Sequence, residues 1–426
     1  MKTCVWYEEY IALLDRALRN VEAMKVIRDA TDRFFAARKE ATSRIKRFKE
    51  LVEKLREIRR EAIERVDELI KMVKESVEFA GGAFHFARDK DEANGIVLKI
   101  CEEHDAKLVV KSKSMTTEEI DLNNVLESRG IEVVETDLGE FIIQQLKEKP
   151  SHLVAPAIHI PRKRIADMFS SILGEDVPPE IPAITMAARR VLREKFFKAD
   201  IGISGTNAIA ADTGTIFLIT NEGNGRFVTN APPVHICIAG IEKLNPTVED
   251  AFIVSRLIPV FATGQLMPSY ISLITGPSRT GDVEFVLTIG VHGPKEVHLV
   301  LLDNGRTKML RDPDFRDALM CVRCGSCLNV CPVYRTIGGT YGYRYVGGIG
   351  IILTAFTEGL EKCAGPAFAC TLCGKCTLAC PLELDIPGMI EKLRKRLQRN
   401  GYAVPRHKQI LENILNYGNP FGETPH

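Results

Sequence analysis

The sequence predicts an α/β fold with helices ahead of it and a helical, cysteine-rich module behind it. Three observations lead there: a helical apolar period between Ser43 and Phe79, short apolar runs alternating with helical stretches from Lys90 to Leu302, and two cysteine runs beyond Pro313. At 426 residues and 45% hydrophobic side chains, the chain has material for two or three domains and a sizeable core. Lys and Arg number 57 against 56 Asp and Glu, so no net field favours nucleic acid or an anionic membrane. No run approaches the roughly 20 apolar residues of a transmembrane helix. Met1 to Tyr10 lacks a basic stretch followed by an apolar one, so no secretory leader is expected, and a reducing cytoplasm is the expected setting.

Taken in order, Ile45, Phe48, Leu51, Val52, Leu55, Ile58, Val66, Leu69, Ile70, Val73 and Val77 recur mostly at three- and four-residue steps, the mark of an amphipathic helix. The charges of Lys54 to Arg65 read as its solvated face. Gly81-Gly82 ends the segment, so residues 1–79 form an expected N-terminal helical region. Helical Lys90–His104 then leads to a strand at Lys107–Lys111, and helical Ser114–Arg129 to a strand at Ile131–Glu135. Further strand candidates are Leu153–Ala155, Ile201–Ile203, Thr215–Thr220, Val234–Ile238, Ser269–Leu273 and Val297–Leu302. Strands separated by helices imply a parallel sheet covered on both faces, over residues 80–310. Residues 311–400 follow as the cysteine-rich module, in which Asp385-Ile-Pro387 opens a basic helix, and 401–426 as a tail.

Eight of the twelve cysteines repeat one spacing: Cys321, Cys324, Cys327 and Cys331-Pro332, then Cys370, Cys373, Cys376 and Cys380-Pro381. This is the ligand run of a two-cluster ferredoxin. Three thiolates come from a tight loop curled around one face of a 4Fe-4S cube, and in such ferredoxins the fourth Cys of each run serves the other cube. The expected sets are Cys321, Cys324, Cys327 and Cys380 for one cluster, and Cys370, Cys373, Cys376 and Cys331 for the second. Zinc needs only four ligands per site and gives no reason for a Cys-Pro ending twice over. A disulfide framework suits small secreted chains. Of the remaining cysteines, Cys4, Cys101, Cys237 and Cys363, Cys237 reads as a buried small hydrophobe and Cys363 as a candidate substitute ligand.

Two loops carry candidate substrate chemistry. In the first, Lys111, Lys113 and Ser114 precede Glu118 and Glu119 at a helix start, a pattern suited to a carboxylate or phosphate; the alternative, slightly favoured by the residues alone, is an N-cap at Ser114 or Thr116 with solvated lysines. In the second, Glu222, Gly223, Asn224, Gly225 and Arg226 combine glycine freedom with opposite charges, and a plain Asn-Gly turn fits equally well. His159, His235 and His292 are candidate bases, each weighed against a satisfied core histidine. No G-x-G-x-x-G follows a strand and opens a helix, so a nicotinamide or flavin site lacks its usual signature.

Together, Lys111–Met115, Glu135–Gly139, Ala155–His159, Gly202–Gly205, Thr213–Thr215, Thr220–Arg226, Ala262–Gln265, Leu273–Gly276 and Leu302–Arg306 resemble the LUD domain. Cys321–Arg335 with Gly338-Gly339 resembles the ferredoxin half of the iron–sulfur subunits of lactate-utilisation complexes, over about residues 40 to 390 in all. The resemblance implies a fold like that of ribose-phosphate isomerases and CoA-transferases, followed by an α-helical ferredoxin with two 4Fe-4S clusters. It implies a part in oxidising a small 2-hydroxy acid, lactate, to pyruvate. Its implied partners are a cysteine-rich redox subunit and a smaller LUD-domain subunit. Glu222 is faintly similar to the catalytic glutamate of some CoA-transferases, a fold-level analogy. The segment Met1–Thr42 matches poorly, and the chain ends soon after the second cysteine run.

Overall fold

The computed structural model describes residues 5–148, 150 and 156–423; Cys4 and the strand candidate at 153–155 lie outside them. Twelve strands are present among these residues: β1 (Ala83–Ala87), β2 (Leu108–Lys111), β3 (Glu132–Glu135), β4 (Ile201–Ser204), β5 (Ala208–Ala210), β6 (Thr215–Thr220), β7 (Val234–Gly240), β8 (Leu244–Asn245), β9 (Tyr270–Ile274), β10 (Arg279–Thr280), β11 (Thr288–Ile289) and β12 (Glu296–Leu302). Six form a sheet in the order β1-β12-β7-β4-β2-β3, parallel throughout. Four more form a second sheet, β8-β5-β6-β9, with antiparallel β5-β6 and β6-β9 pairs.

Side chains alternate across the parallel sheet, as strand geometry requires. Ile236, Ile238, Val300 and Leu302 pack on one face with Val97 and Leu126 of the neighbouring helices. On the other, Cys237, Ala239, Leu299 and Leu301 meet Leu69 and Val73, while Val110 and Val134 meet Phe141 and Phe169. Cys237 is thus the buried small hydrophobe that its apolar run suggests.

The amphipathic segment expected from Ser43 to Phe79 is two helices, Phe48–Glu64 and Val66–Phe79, joined at Arg65. Two further helices precede them, Val5–Arg19 and Val21–Arg44. These earlier helices join the cysteine-rich module: Trp6, Met24 and Ile27 share one core with Tyr334, Ile352, Leu353 and Ile390. Helix Ile386–Arg399 starts at Asp385, whose side chain accepts from the Gly388 N–H at 3.0 Å, and the tail holds one more helix, Pro405–Tyr417.

Candidate functional site

Chain order along the parallel sheet fixes where a site can form. After β2 the chain moves outward to β3, then returns to β4 on the opposite side of β2. Ligands of open α/β sheets bind at such a reversal, outside the carboxyl ends of the strands. A crevice of about 370 Å³ lies there, lined by the loops that follow β2, β4, β6 and β7 and closed by Arg323, Cys324 and Tyr345 of the cysteine-rich module. The two halves of the chain therefore share one cavity. The loops after β2 and β4 touch so closely that a Cβ on Gly205 would sit 2.5 Å from Ser114 Oγ.

The sequence-predicted residues divide around this crevice. Lys113, Ser114, Glu222 and Asn224 line it. Ser114 is also the N-cap of helix Met115–Glu119, accepting from the Thr117 N–H at 3.3 Å, so the capping reading holds as well. Lys113 pairs with Glu140 at 3.1 Å. Glu222 is an exposed residue whose carboxyl reaches Asp137 and the Leu138 N–H; burial of that end and the Asp137 charge push its pKa up, and the Leu138 N–H and Lys113 pull it down. Asn224 opens helix Asn224–Asn230, so the Asn-Gly pair makes a helix start in place of a hairpin turn.

Two expectations for the anion site are corrected. Lys111 is completely buried, bound to Glu135 at 2.7 Å, Glu118 at 2.9 Å and Thr117 at 2.9 Å. As the last residue of β2 it faces inward, and its charge is consumed by that triad. Arg226 is exposed and lies over the Tyr270 ring, 5.0 Å from its centroid, away from the lining of the crevice.

The candidate bases fall elsewhere. His235 is fully buried in the sheet, 2.8 Å from Ser204 Oγ, and burial drives its pKa down to about 3. His159 lies 3.6 Å from Glu148 in a separate, wider opening, and His292 is exposed on a loop.

The cysteine runs share one local backbone. Arg323 and Leu372 have φ of 60° and 54°, and Gly325 and Gly374 have φ of 74° and 75°. Left-handed geometry costs a non-glycine residue about 1–2 kcal/mol, and here both loops turn at the same two positions of the cysteine spacing. Short helices Ser326–Val330 and Lys375–Ala379 follow each curl. Bare thiols gathered this way repel one another's ionised forms, and burial adds to the effect. Cys327 feels Cys321, Cys324, Cys380 and Cys376, while Cys331 feels Cys370 and Cys373. Cys324 is pushed up to about 12 by burial first, then by Cys321 and Cys380. The fold thus brings the last cysteine of each run to the other run.

The surroundings suit a cluster's sulfurs. The Arg323 N–H points at Cys321 Sγ at 3.4 Å and the Tyr334 N–H at Cys331 Sγ at 3.5 Å, while Cys380 accepts from the backbone of Leu382, Glu383 and Leu384. Such N–H···S contacts are a main lever on cluster potential. Cys363 stands apart from this pattern: it is buried in helix Leu360–Ala369, its thiol donating to the Leu360 carbonyl at 3.2 Å.

Sequence reasoning missed a buried polar network behind the crevice. Arg306, just past β12, binds Glu119 through two N–H groups at 2.7 and 2.8 Å and Glu242 at 2.5 Å. Tyr345 donates to Glu119 at 2.6 Å, and Arg323 lies 3.4 Å from Glu242. Burial works against the Glu242 carboxylate, but Arg306, Arg323 and Lys243 more than offset it and hold the pKa at about 2. A Cβ on Gly240 would collide with Glu242 and Arg306, so glycine at the end of β7 lets the network close.

An α/β sheet with a crevice at its reversal, joined through that crevice to paired four-cysteine loops, defines an iron–sulfur protein of mixed architecture. Residues 70–302 match the LUD domain family and residues 317–384 the 4Fe-4S dicluster domain. Lactate utilization protein B of Bacillus licheniformis is 40% identical over 92% of this chain and 81% of its own length; that of Bacillus subtilis is 39% identical over 91% and 80%. The uncharacterized electron transport protein YkgF of Escherichia coli is 36% identical over 93% and 81%. A solved structure of a DUF162 family protein from Deinococcus radiodurans covers 56% of this chain at 12% identity and a TM-score of 0.29. The chain belongs to the LUD domain family, in the group that carries a 4Fe-4S dicluster domain and includes lactate utilization protein B.

Proposed function

We propose that this chain is the iron–sulfur electron-transfer subunit of a complex that oxidises a small 2-hydroxy acid, lactate, to pyruvate. The observation that carries the reading is the shared crevice: Cys324, in the first cysteine run, lines the same cavity as the strand-end loops of the LUD domain. The names of the relatives, lactate utilization and electron transport, supply the direction.

Cys321, Cys324, Cys327 and Cys380 would hold one 4Fe-4S cluster, and Cys370, Cys373, Cys376 and Cys331 the second. Bound there, the clusters supply one-electron acceptance and transfer. Cys324 is 8% exposed beside the crevice, whereas Cys373 is exposed and Leu378, five residues further along the chain, is 88% exposed. Electrons would thus enter at the first set and leave at the second. Lactate gives up two electrons and two protons in becoming pyruvate. Glu222, its carboxyl pKa raised by burial, would accept the hydroxyl proton, and Lys113, Ser114 and Asn224 would orient the substrate. No two-electron acceptor is legible on this chain, so hydride acceptance falls to a partner, a cysteine-rich redox subunit or a smaller LUD-domain subunit. Among the described residues no helix is long and apolar enough to cross a membrane, and a cytoplasmic setting fits the air-sensitive clusters.

The test is anaerobic lactate-dependent dye reduction by the subunit alone, by the reconstituted complex, and by complexes carrying Cys331→Ser or Cys380→Ser. Turnover is expected only from the complex with intact cysteines. Rapid turnover by the subunit alone would place the whole reaction here, and a verified complex inert towards lactate would rule out the substrate.

A further inference from the structure

Two polar groups in the crevice are left unused by that reading. Lys243 ends the turn Ile241–Lys243, directly after β7, and its side chain lines the cavity. Among the described residues no hydrogen bond or ion pair reaches its ammonium. The neighbouring carboxylate of Glu242 is engaged by Arg306 and Arg323, and Lys113 is paired with Glu140. Burial lowers the Lys243 pKa to about 8, with Glu242 and the Cys321 thiolate pulling it up and Arg323 and Arg59 pushing it down. The second group is Ser112, 3% exposed, whose hydroxyl has no hydrogen-bond partner among the described residues although it borders the same cavity.

A half-buried cation with no hydrogen bond or ion pair and a buried hydroxyl with no partner leave polar groups that a ligand anion would engage. The carboxylates that line the crevice limit what that anion can be. Asp137 and Glu222 line the same crevice, and the Asp137 charge already disfavours ionised Glu222. A dianion such as phosphate would bring a second negative charge towards them. A monocarboxylate bearing a hydroxyl puts its single charge on the lysine and offers the Glu222 side a donor. The volume, about 370 Å³, lies at the small end of ligand sites and suits a compact acid.

We propose that Lys243 and Ser112 bind the carboxylate of a small 2-hydroxy monocarboxylic acid in this crevice, with its hydroxyl towards Glu222. The assignment rests on the functional reading above for the ligand's identity, and on the geometry alone for the residues.

The experiment is calorimetric titration of the anaerobic, cluster-loaded full chain at pH 7 with lactate, lactamide and inorganic phosphate. Iron content and visible absorbance verify each protein. Lactate should bind at least about tenfold more tightly than lactamide, which is the same molecule without the charge, and more tightly than phosphate; tenfold corresponds to about 1.4 kcal/mol. Lys243→Met should weaken lactate by at least about tenfold and Lys243→Arg by less, while Ser112→Ala costs several-fold. If Lys243→Met fails to load clusters, protection serves instead: lactate should shield Lys243 of the unmodified chain from acetylation, read by mass spectrometry. Equal affinity of Lys243→Met and the unmodified chain, equal binding of lactamide, phosphate preferred over lactate, or undiminished acetylation would each overturn the assignment. Lys243-dependent lactate binding in a subunit whose complete complex oxidises no lactate would overturn the functional reading alone. Lactate oxidation by that complex, with lactate affinity unchanged by Lys243→Met, would overturn the binding site alone.

Discussion

Arg306 holds Glu119 by two parallel N–H···O bonds, 2.7 and 2.8 Å long, with neither side chain exposed to solvent. The partners come from distant places: Glu119 from the helix after β2, Arg306 from the turn after β12. Tyr345 reaches Glu119 from the cysteine-rich module, and Arg323, two residues from Cys321, reaches Glu242. The pair is therefore the hinge point of a network that ties the carboxyl edge of the parallel sheet to the first cysteine run. Its bidentate geometry suits arginine and could not be reproduced by lysine.

Removing Arg306 should be strongly destabilising. Arg306→Met leaves two buried carboxylates, Glu119 and Glu242, without their main counter-charge, and breaking a buried pair in this way costs about 3–5 kcal/mol. Chemical denaturation of the anaerobic protein measures the loss. Arg306→Lys should recover only part of it, and a change below about 1 kcal/mol in Arg306→Met would mean that water or rearrangement satisfies the carboxylates.

The exchange of fourth ligands has a spectroscopic signature. The chain should hold about eight iron atoms as two cubes, and Cys380→Ser should alter the same EPR signal as Cys321→Ser. Cys331→Ser should alter the signal affected by Cys373→Ser. If Cys380→Ser instead matched Cys373→Ser, each run would serve its own cube.

Reduction potentials should respond separately at the two sets. Tyr341 is buried beside Cys370, and burial and the nearby thiolates push its own pKa up. Arg38, from an N-terminal helix, donates to the Ala379 carbonyl at 2.8 Å and to Ser326, close to Cys324 and Cys380. Deleting a donor or a cation beside a cluster disfavours the added electron. Tyr341→Phe should lower the potential of the second set and Arg38→Met that of the first, each on the order of 59 mV, a tenfold change for one electron. Redox titration followed by EPR resolves the two, and a shift of the wrong cluster would contradict the assignment.

Much of this architecture is legible in the sequence because buried strands of a parallel sheet are apolar on both faces. Runs such as Val234–Ile238 and Val297–Leu302 therefore stand out. β5, only Ala208–Ala210, and β1, with His85 at its centre, carry no such signal. Cysteine spacing is legible because a cube fixes the loop around it. The charged residues are harder to read. Lys111 looks like a free cation until Glu118 and Glu135 close on it from other elements, and nothing near Arg226 in the chain announces Tyr270. Glu242 and Lys243 did have a signal: two charges directly beyond the apolar run of β7, at the carboxyl end of a parallel strand. The N-terminal helices were weakly marked because much of their buried face is small or polar, with Ala23, Ala30, Thr31 and Ala41 in place of large apolar residues.

Acid sensitivity should trace to His235. The ring is fully buried and neutral in the folded chain, with burial lowering its pKa from 6.5 to about 3. An unfolded chain takes up a proton there as the pH falls below about 6.5, whereas the folded chain does not. More protons bound by the unfolded state means stability rises with pH, so the contribution is complete above pH 6.5 and is lost on acidification towards pH 3. The slope is about 1.4 kcal/mol per pH unit below the unfolded value, hence about 2 kcal/mol lost by pH 5. His85 and His298, 3.1 Å apart and also depressed first by burial, act in the same direction. Glu242 enters later, because a carboxyl lowered from 4.5 to about 2 gives up its stabilisation only below pH 4.5. Denaturation midpoints of the anaerobic protein at pH 7.5 and 5.0 isolate the histidines from such carboxylates. His235→Gln should be less stable at pH 7.5, having lost a packed ring, yet lose about 2 kcal/mol less than the unmodified chain between the two pH values. An identical pH dependence in the two proteins would mean that the buried ring takes up its proton in the folded state, through an opening of the sheet around Ser204 and β7.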